Sequence, residues 1–338
     1  MALRIFLIRR LALFVPLLLG ILLFTFFLVR IGGQDPVGLI AGPTATTAEI
    51  AMIRGQLGLD QPIPTQFWIY LGNVLEGDLG RSWISQKPVL RDVLDRFPIT
   101  LELLLWGTLI GALVAVPVGL RAAFKHDRLF DIVSRSISLL GFSVPTYFLG
   151  LLMLFVFFYL LGWAPPGMGR ISLMVTPPPT VTGSYLIDSL LIGNLEGARS
   201  ALGQLVLPVL CVAIISAAPI AKHTRAIALE VMSSDYVRYA DATGLEPSAR
   251  IRIVLRNSRT PILTFVGTEL TGLIGTAALI EYVFAWGGLG QYGLNAIIRG
   301  DFSAVQGYVL ALALFSLIVF LVIDILVLLL DPRTAETS

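Results

Sequence analysis

Six apolar segments are each long enough to cross a lipid bilayer, and this feature restricts the possible folds more than any other. They cover residues 9–30, 99–121, 134–162, 199–222, 262–285 and 302–330. A helix needs about 20 apolar residues to cross the hydrocarbon layer. Lipid offers no hydrogen-bond partners to the backbone, and the segments are too long for barrel strands. The sequence therefore predicts an all-α integral membrane protein with six transmembrane helices.

The composition excludes several other classes of protein. Only 14% of the residues are charged, whereas soluble domains carry about 25%. The net charge of +2 gives no reason to expect a nucleic-acid partner. The single cysteine, Cys211, lies in an apolar run, and only His126 and His223 are histidines. We therefore expect neither a disulfide nor a metal site in this chain.

Lysine and arginine residues near the ends of the spans predict the orientation. Those on one side are Arg4, Arg9, Arg10, Arg121, Lys125, Arg128, Arg135, Lys222, Arg225, Arg238, Arg250, Arg252, Arg256, Arg259 and Arg333. The short loops on the other side hold only Arg170, Arg199 and Arg299. Both termini and the 223–261 connection are therefore predicted to be cytoplasmic. The first apolar run is expected to be a retained span, because no signal-peptide cleavage pattern follows it.

The spans divide the chain into four parts. The predicted parts are an N-terminal cytoplasmic tip with span one (1–30), an extracytoplasmic loop domain (31–97), a five-span core (98–330) and a cytoplasmic tail (331–338). Thr46 and Glu49 form the pattern of a capping box at a helix start in the first outside loop. The second outside loop, 163–198, is rich in proline and glycine and is predicted to be irregular.

The longest polar segment of the C-terminal half, Ser233–Pro261, contains a pattern typical of a short helix. Asp235 is the expected cap of this helix, and Gly244 is the expected C-terminal stop. The apolar face is predicted to consist of Tyr236, Tyr239 and Ala240. A short helix with small residues suits insertion into a groove of a partner. The alternative is a basic loop held at the lipid surface.

The same segment carries a family resemblance. The sequence Tyr239-Ala240-Asp241-Ala242-Thr243-Gly244-Leu245, followed by Leu255-Arg256-Asn257 and Pro261, resembles the cytoplasmic loop signature of binding-protein-dependent ABC importer permeases. It is most similar to the peptide/nickel branch, and there to the first permease of dipeptide importers. Supporting stretches in matching order are 77–82, 96–102, 141–145, 281–284, 286–290 and Asp324.

The resemblance implies a type I ABC importer permease fold in a bacterial or archaeal cytoplasmic membrane. It implies four partners, namely a second similar permease, two cytoplasmic ATPase subunits and an extracytoplasmic solute-binding protein. The residues it assigns to ATPase coupling are Asp235, Tyr236, Tyr239, Ala240, Asp241, Ala242, Thr243, Gly244 and Leu245. The chain has no G-x-x-x-x-G-K-[ST] sequence, so ATP and Mg are expected in partner subunits. No catalytic residue or bound cofactor is expected here.

Ionisable residues inside spans are functional candidates, because they are costly in lipid. Glu269 lies deepest and is a candidate for lining the pathway; the alternative is a hydrogen bond to a neighbouring helix. Glu102 and Glu281 are further candidates, with capping near the interface as their alternative. Pro145 predicts a kink or broken backbone near a gate.

Two glycine patterns complete the set of candidates. Gly77, Asp78 and Gly80 form either a surface turn or a contact site for the binding protein. Gly107 and Gly111 form a G-x-x-x-G pattern, which permits close helix packing.

The expected function is ATP-driven import of di- and oligopeptides by alternating access. Nickel chelates, glutathione and oligosaccharides are alternative substrates of the same class. A secondary transporter driven by an ion gradient is the alternative outside it. That class would predict buried mid-membrane charge pairs and an inverted repeat, which the sequence does not display.

We predict that Gly244→Asp leaves the protein in the membrane but uncouples uptake from ATP hydrolysis. A side chain on a left-handed residue costs about 1 kcal/mol or more and would alter the end of the coupling helix. Uptake and ATPase activity of the assembled transporter measure the effect. Normal uptake by this variant would refute the coupling role.

Overall fold

A computed structural model of the chain describes residues 2–31, 37, 45–56 and 58–330. Its helices are α1 (Ala2–Ile31), α2 (Thr47–Gln56), α3 (Ile63–Leu75), α4 (Val89–Phe124), α5 (Leu129–Ser143), α6 (Thr146–Met153, continued by a π-helical stretch, Leu154–Leu160), α7 (Tyr185–Leu191), α8 (Leu195–Met232), α9 (Asp235–Ala242), α10 (Pro247–Val283), α11 (Leu289–Arg299) and α12 (Phe302–Leu330). Within these residues the only β-structure is one isolated bridge, between Arg81 and Pro88. The predicted tail and part of the predicted 31–97 loop domain lie outside them.

Five of the described helices, α1, α4, α8, α10 and α12, are long and apolar enough to cross a membrane. The predicted span at 134–162 is not one continuous helix. It consists of α5 and α6, which are bent by 98° relative to each other. Pro145 has no amide hydrogen, and it disfavours helical dihedrals in the preceding Val144, whose ψ is 124°. The predicted break at Pro145 is therefore confirmed.

Two other boundaries differ from the sequence prediction. Helix α4 begins at Val89 rather than at 99, because its first turns are polar and lie outside the apolar run that hydropathy detects. The connection 163–198, predicted to be irregular, contains α7. The hydroxyl of Ser184 caps α7 by accepting a hydrogen bond from the Ile187 amide at 3.2 Å.

The capping box at the start of α2 is confirmed. The Glu49 carboxylate accepts the Thr46 amide at 2.8 Å, and the Thr46 hydroxyl accepts the Glu49 amide at 3.3 Å. The hydrogen bond from the Thr46 amide lowers the pKa of Glu49.

The helices place the connections at two ends of the bundle. The long-loop end contains 45–56, 58–88, 163–194 and 284–301, which are joined to each other and to α4 by the contacts described below. The short-helix end contains α9. The start of α1 and the end of α12 meet at this second end, where Arg10 and Asp324 form an ion pair with an N–O distance of 2.5 Å. The Arg259 guanidinium also donates to the Leu330 carbonyl there, at 2.5 Å.

Helix α8 lies at the centre of the bundle and packs closely against α4. A Cβ atom built on Gly111 would lie 2.8 Å from the Ala213 carbonyl oxygen, and one on Gly119 would lie 2.5 Å from the Ala221 carbonyl oxygen. Gly107 similarly faces Val212. Only glycine permits this approach of the two backbones, so the G-x-x-x-G pattern marks a real packing face.

We predict that Gly111→Ala lowers the thermal stability of the purified protein in detergent. The added Cβ forces α4 and α8 apart, and such overpacking costs about 1–3 kcal/mol. Gly20→Ala is the matched control, because no atom in the described part of the chain lies within 4 Å of its Cβ position in α1. The control should unfold at the same or a slightly higher temperature, since alanine favours helix. Equal melting temperatures for Gly111→Ala and the wild type would contradict the packing role.

Candidate functional site

Helix α9 is held to the bundle by small side chains and presents aromatic ones. Val237 is fully buried and Ala240 nearly so. The side chains of Tyr236 and Tyr239 are 50% and 72% exposed. The predicted apolar face of Tyr236, Tyr239 and Ala240 is therefore wrong, because Ala240 points inward with Val237 and the tyrosines point outward. Tyr236 and Tyr239 are three residues apart, and so are Val237 and Ala240. Helical spacing alone therefore did not show which pair is buried.

The N-terminus of α9 starts differently from the prediction. The Ser234 carbonyl accepts the amides of Val237 and Arg238, each at 3.1 Å. Asp235 is therefore the first helical residue rather than the cap. Its carboxylate is exposed and lies 3.9 Å from Arg238. A negative charge in the first turn still favours the helix through the helix dipole.

The C-terminus of α9 ends as predicted. Gly244 has a φ of +75°, in the left-handed region. The Leu245 amide donates to the Ala240 carbonyl at 3.1 Å, which is the long bond of a Schellman motif. No atom of the described residues lies within 4 Å of a Cβ placed on Gly244. A side chain there would strain the backbone without a clash against any of these residues.

The remaining coupling candidates follow the same surface. Ala242, Thr243 and Leu245 are exposed, and the Thr243 hydroxyl donates to the Ala240 carbonyl at 2.9 Å. The side chain of Asp241 lies outside what the structure describes. Helix α9 thus offers an exposed, partly aromatic surface whose two ends continue directly into α8 and α10.

Among the acidic pathway candidates, Glu281 has a clear structural contact set. It is fully buried. One carboxylate oxygen accepts the Thr100 hydroxyl at 2.5 Å and the other accepts the Gln291 amide at 2.7 Å. Thr100 in turn accepts the Leu289 amide at 2.8 Å. Glu281 and Thr100 therefore satisfy free N–H groups at the start of α11, which supports the capping alternative.

Glu102 and Glu269 have contrasting surroundings. Glu102 is buried and accepts a hydrogen bond from the Ser184 hydroxyl, which links α4 to the 163–194 connection. Glu269 is half-buried on α10 and has no hydrogen bond or ion pair with any residue described in the structure. Pro145 lies at the bend between α5 and α6. Their role in lining a pathway stays a prediction.

The Gly77–Gly80 segment is a compact surface turn. The Asp78 carboxylate accepts the Gly80 amide at 2.8 Å, and both glycines have positive φ, +84° and +80°. The turn leads to Ser82, whose hydroxyl donates to the fully buried Asp301 at 2.6 Å. Asp301 also accepts the Trp83 amide at 2.9 Å. This anchor fixes the turn to α12.

Sequence reasoning missed Asp301, although a signal was present. It immediately precedes the long apolar helix α12 and accepts the Ala304 amide at 3.2 Å, as an N-cap does. The hydrogen-bonding role of Asp188 in α7 was also not predicted. Burial tends to raise its pKa, but hydrogen bonds from the Thr182 amide and hydroxyl and the Val181 amide outweigh that effect, so the pKa of Asp188 lies below its usual value.

Near the short-helix end, α5 and α8 are joined by an ion pair. Both oxygens of the fully buried Asp131 accept from the Arg225 guanidinium, at 2.5 and 2.8 Å. The possible ligand atoms of His126 and Asp127 lie within 4.8 Å of those of Asp131. Because Arg225 engages both oxygens of Asp131, we interpret the group as a salt-bridge cluster.

Two family models match the chain. The model described as binding-protein-dependent transport system inner membrane component matches residues 115–336, and the model of the N-terminal part of such components matches residues 3–104. The first covers more than half of the chain. The chain therefore belongs to the family of binding-protein-dependent transport system inner membrane components. Its helical architecture is that of a type I ABC permease.

Curated relatives agree over nearly the whole length. The chain is 38% identical over 316 residues to the probable D,D-dipeptide transport system permease protein of Escherichia coli (strain K12), covering 93% of the chain and 92% of the relative. It is 38% identical over 331 residues to the di/tripeptide transport system permease protein of Pseudomonas aeruginosa (strain UCBPP-PA14), covering 97% and 98%. It is 33% identical over 328 residues to the glutathione transport system permease protein of Salmonella choleraesuis (strain SC-B67), covering 97% of each.

Two glutamates of α10 give a matched pair of substitutions. We predict that Glu281→Gln lowers the melting temperature of the purified protein, because an amide cannot accept both the Thr100 hydroxyl and the Gln291 amide. An unsatisfied buried donor costs about 1–3 kcal/mol. Glu269→Gln loses no hydrogen bond and should leave the melting temperature unchanged. Equal stability of the two variants would contradict the capping role of Glu281.

Proposed function

We propose that the chain is the transmembrane permease subunit of an ATP-driven importer of di- and oligopeptides. Membership in a binding-protein-dependent transport family supports the class. The peptide-transport names of two relatives, each 38% identical, support the substrate. The observation that carries the mechanism is the exposed tyrosine surface of α9, a helix fixed between α8 and α10.

We further propose that the short-helix end is cytoplasmic. The excess of lysine and arginine at this end supports this orientation. Both termini then lie in the cytoplasm, and the long-loop end, including Gly77, Asp78 and Gly80, faces the solute-binding protein. The membrane is a bacterial or archaeal cytoplasmic membrane.

The energy comes from separate subunits in this proposal. The sequence has no phosphate-binding loop of the G-x-x-x-x-G-K-[ST] type, so ATP and Mg bind to two cytoplasmic ATPase subunits and this chain is not itself an enzyme. Those subunits receive Tyr236, Tyr239 and Leu245 in a groove. A second, similar permease completes the membrane part.

Alternating access follows from how α9 is connected. Closure of the ATPase subunits displaces α9, and the displacement passes to α8 and α10. Close packing makes α4 follow α8. The bend at Pro145 allows α5 and α6 to change their angle, and substrate passes along the half-buried Glu269.

Glutathione is a second candidate substrate, because one relative is a glutathione permease that is 33% identical to the chain. Nickel chelates and oligosaccharides stay alternative substrates of the same class. A transporter driven by an ion gradient would differ from the proposed importer in its energy source. Uptake into vesicles that hold a proton gradient but no ATP would refute the ATP-driven mechanism.

We predict that Tyr239→Ala weakens capture of the ATPase subunits by at least about 30-fold, the loss typical of an aromatic hot spot. Co-purification and binding-protein-stimulated ATPase activity measure the loss. Tyr159→Ala is the matched control, because Tyr159 is 73% exposed but lies in the π-helical stretch of α6. An equal effect of both substitutions, or none of either, would contradict docking at α9.

A further inference from the structure

A cavity of about 560 Å³ opens at the long-loop end, between residues 165–175 and the first turns of α8. We propose that it receives a short peptide with free termini on its way from the binding protein to the spans. This inference rests on the proposed function and adds a substrate subsite to it. The volume lies within the range of about 300–1,000 Å³ that is usual for small-molecule sites.

The walls of the cavity are mainly apolar, and two backbone amides attach them to neighbouring helices. Pro165, Pro166, Met168, Leu173 and Met174 line it. The Ser172 amide donates to the Ser200 hydroxyl at 2.9 Å, which ties the wall to α8. The Gly169 amide donates to the Phe284 carbonyl at 3.1 Å, which ties it to the end of α10. Adaptable methionine side chains accept varied apolar side chains.

Two oppositely charged side chains lie at the rim of the cavity without partners among the described residues. Glu196 and Arg199 both line the cavity and are three residues apart in the first turns of α8. Such residues are neighbours on one helix face, with Cβ atoms about 5–6 Å apart. Neither forms a hydrogen bond or ion pair with any residue in the described ranges, nor with the other. Their charges are available to a ligand.

The arrangement matches the chemistry of a free peptide. The peptide's ammonium group is complementary to the Glu196 carboxylate, and its terminal carboxylate can accept two parallel hydrogen bonds from the Arg199 guanidinium. Gln204, which is only 7% exposed and lines the cavity, offers an amide to the peptide bond. The apolar walls take the side chains. A peptide of two or three residues presents both terminal charges and side chains within so small a site.

The test uses the assembled transporter in nanodiscs without binding protein, with alanyl-phenylalanine as the probe. Saturation-transfer NMR reports contact between peptide and protein. We expect a signal for the free dipeptide that falls about tenfold for its N-acetyl or C-terminal amide form, because each loses a charge-assisted contact. In Glu196→Gln the free dipeptide and its N-acetyl form should give equal signals. In Arg199→Gln the free dipeptide and its C-terminal amide form should give equal signals.

Arg299→Gln is the matched control, because Arg299 is an exposed arginine at the long-loop end that does not line the cavity. Its signals should equal those of the wild type. Binding-protein-stimulated ATPase activity should also be unchanged in Arg299→Gln. A stimulation lost in the Glu196 and Arg199 variants, together with no dipeptide signal in the wild type, would mean that the cavity docks the binding protein and would overturn the inference.

The inference and the proposed function fail in different ways. Wild-type vesicles that import peptides, combined with a dipeptide signal that both substitutions leave unchanged, would refute the subsite alone. Wild-type vesicles that import no peptide would refute the proposed substrate.

Discussion

The rest of the structure depends on the close packing of α4 against α8. Gly107, Gly111 and Gly119 remove the side chains that would separate the two backbones. Van der Waals packing and interhelical hydrogen bonds hold helices together in lipid, because the apolar surroundings supply no hydrophobic drive for association. Helices α10 and α11 and the outer connections are assembled around this pair. Thr100 and Glu102 of α4 provide the contacts to them.

This packing also determines which helices are connected to α9. Helix α9 continues into α8 on one side and α10 on the other, and α8 is bound to α5 by the Asp131–Arg225 ion pair. Breaking one member of a buried pair leaves an uncompensated charge, so α5 is held strongly at this end. Beyond the bend at Pro145, α6 is free of that constraint. The geometry thus combines a closely packed α4–α8 pair with a sharply bent α5–α6 pair.

Local patterns in the sequence predicted the features that depend on local chemistry. Hydropathy identified α1, α4, α8, α10 and α12, and Gly244 was predicted to be left-handed from its position after a short helix. The sequence did not predict that the tyrosines of α9 face outward, because burial depends on which neighbours lie beneath the helix. The Ser82–Asp301 anchor was missed for a similar reason, since it joins residues far apart in the chain. The 98° bend was anticipated only as a break, because a proline stops a helix without setting the direction of the next one.

The central claim is that α4 and α8 move as one body when ATP binds to the partner subunits. Spin labels on exposed positions of the two helices, Leu113 and Ile214, in a Cys211→Ser background would report their separation by pulsed electron paramagnetic resonance. The assembled transporter would be measured without nucleotide and with ATP and Mg trapped. The account predicts one narrow distance distribution that is the same in both states. A shift or splitting of that distribution with ATP would contradict it.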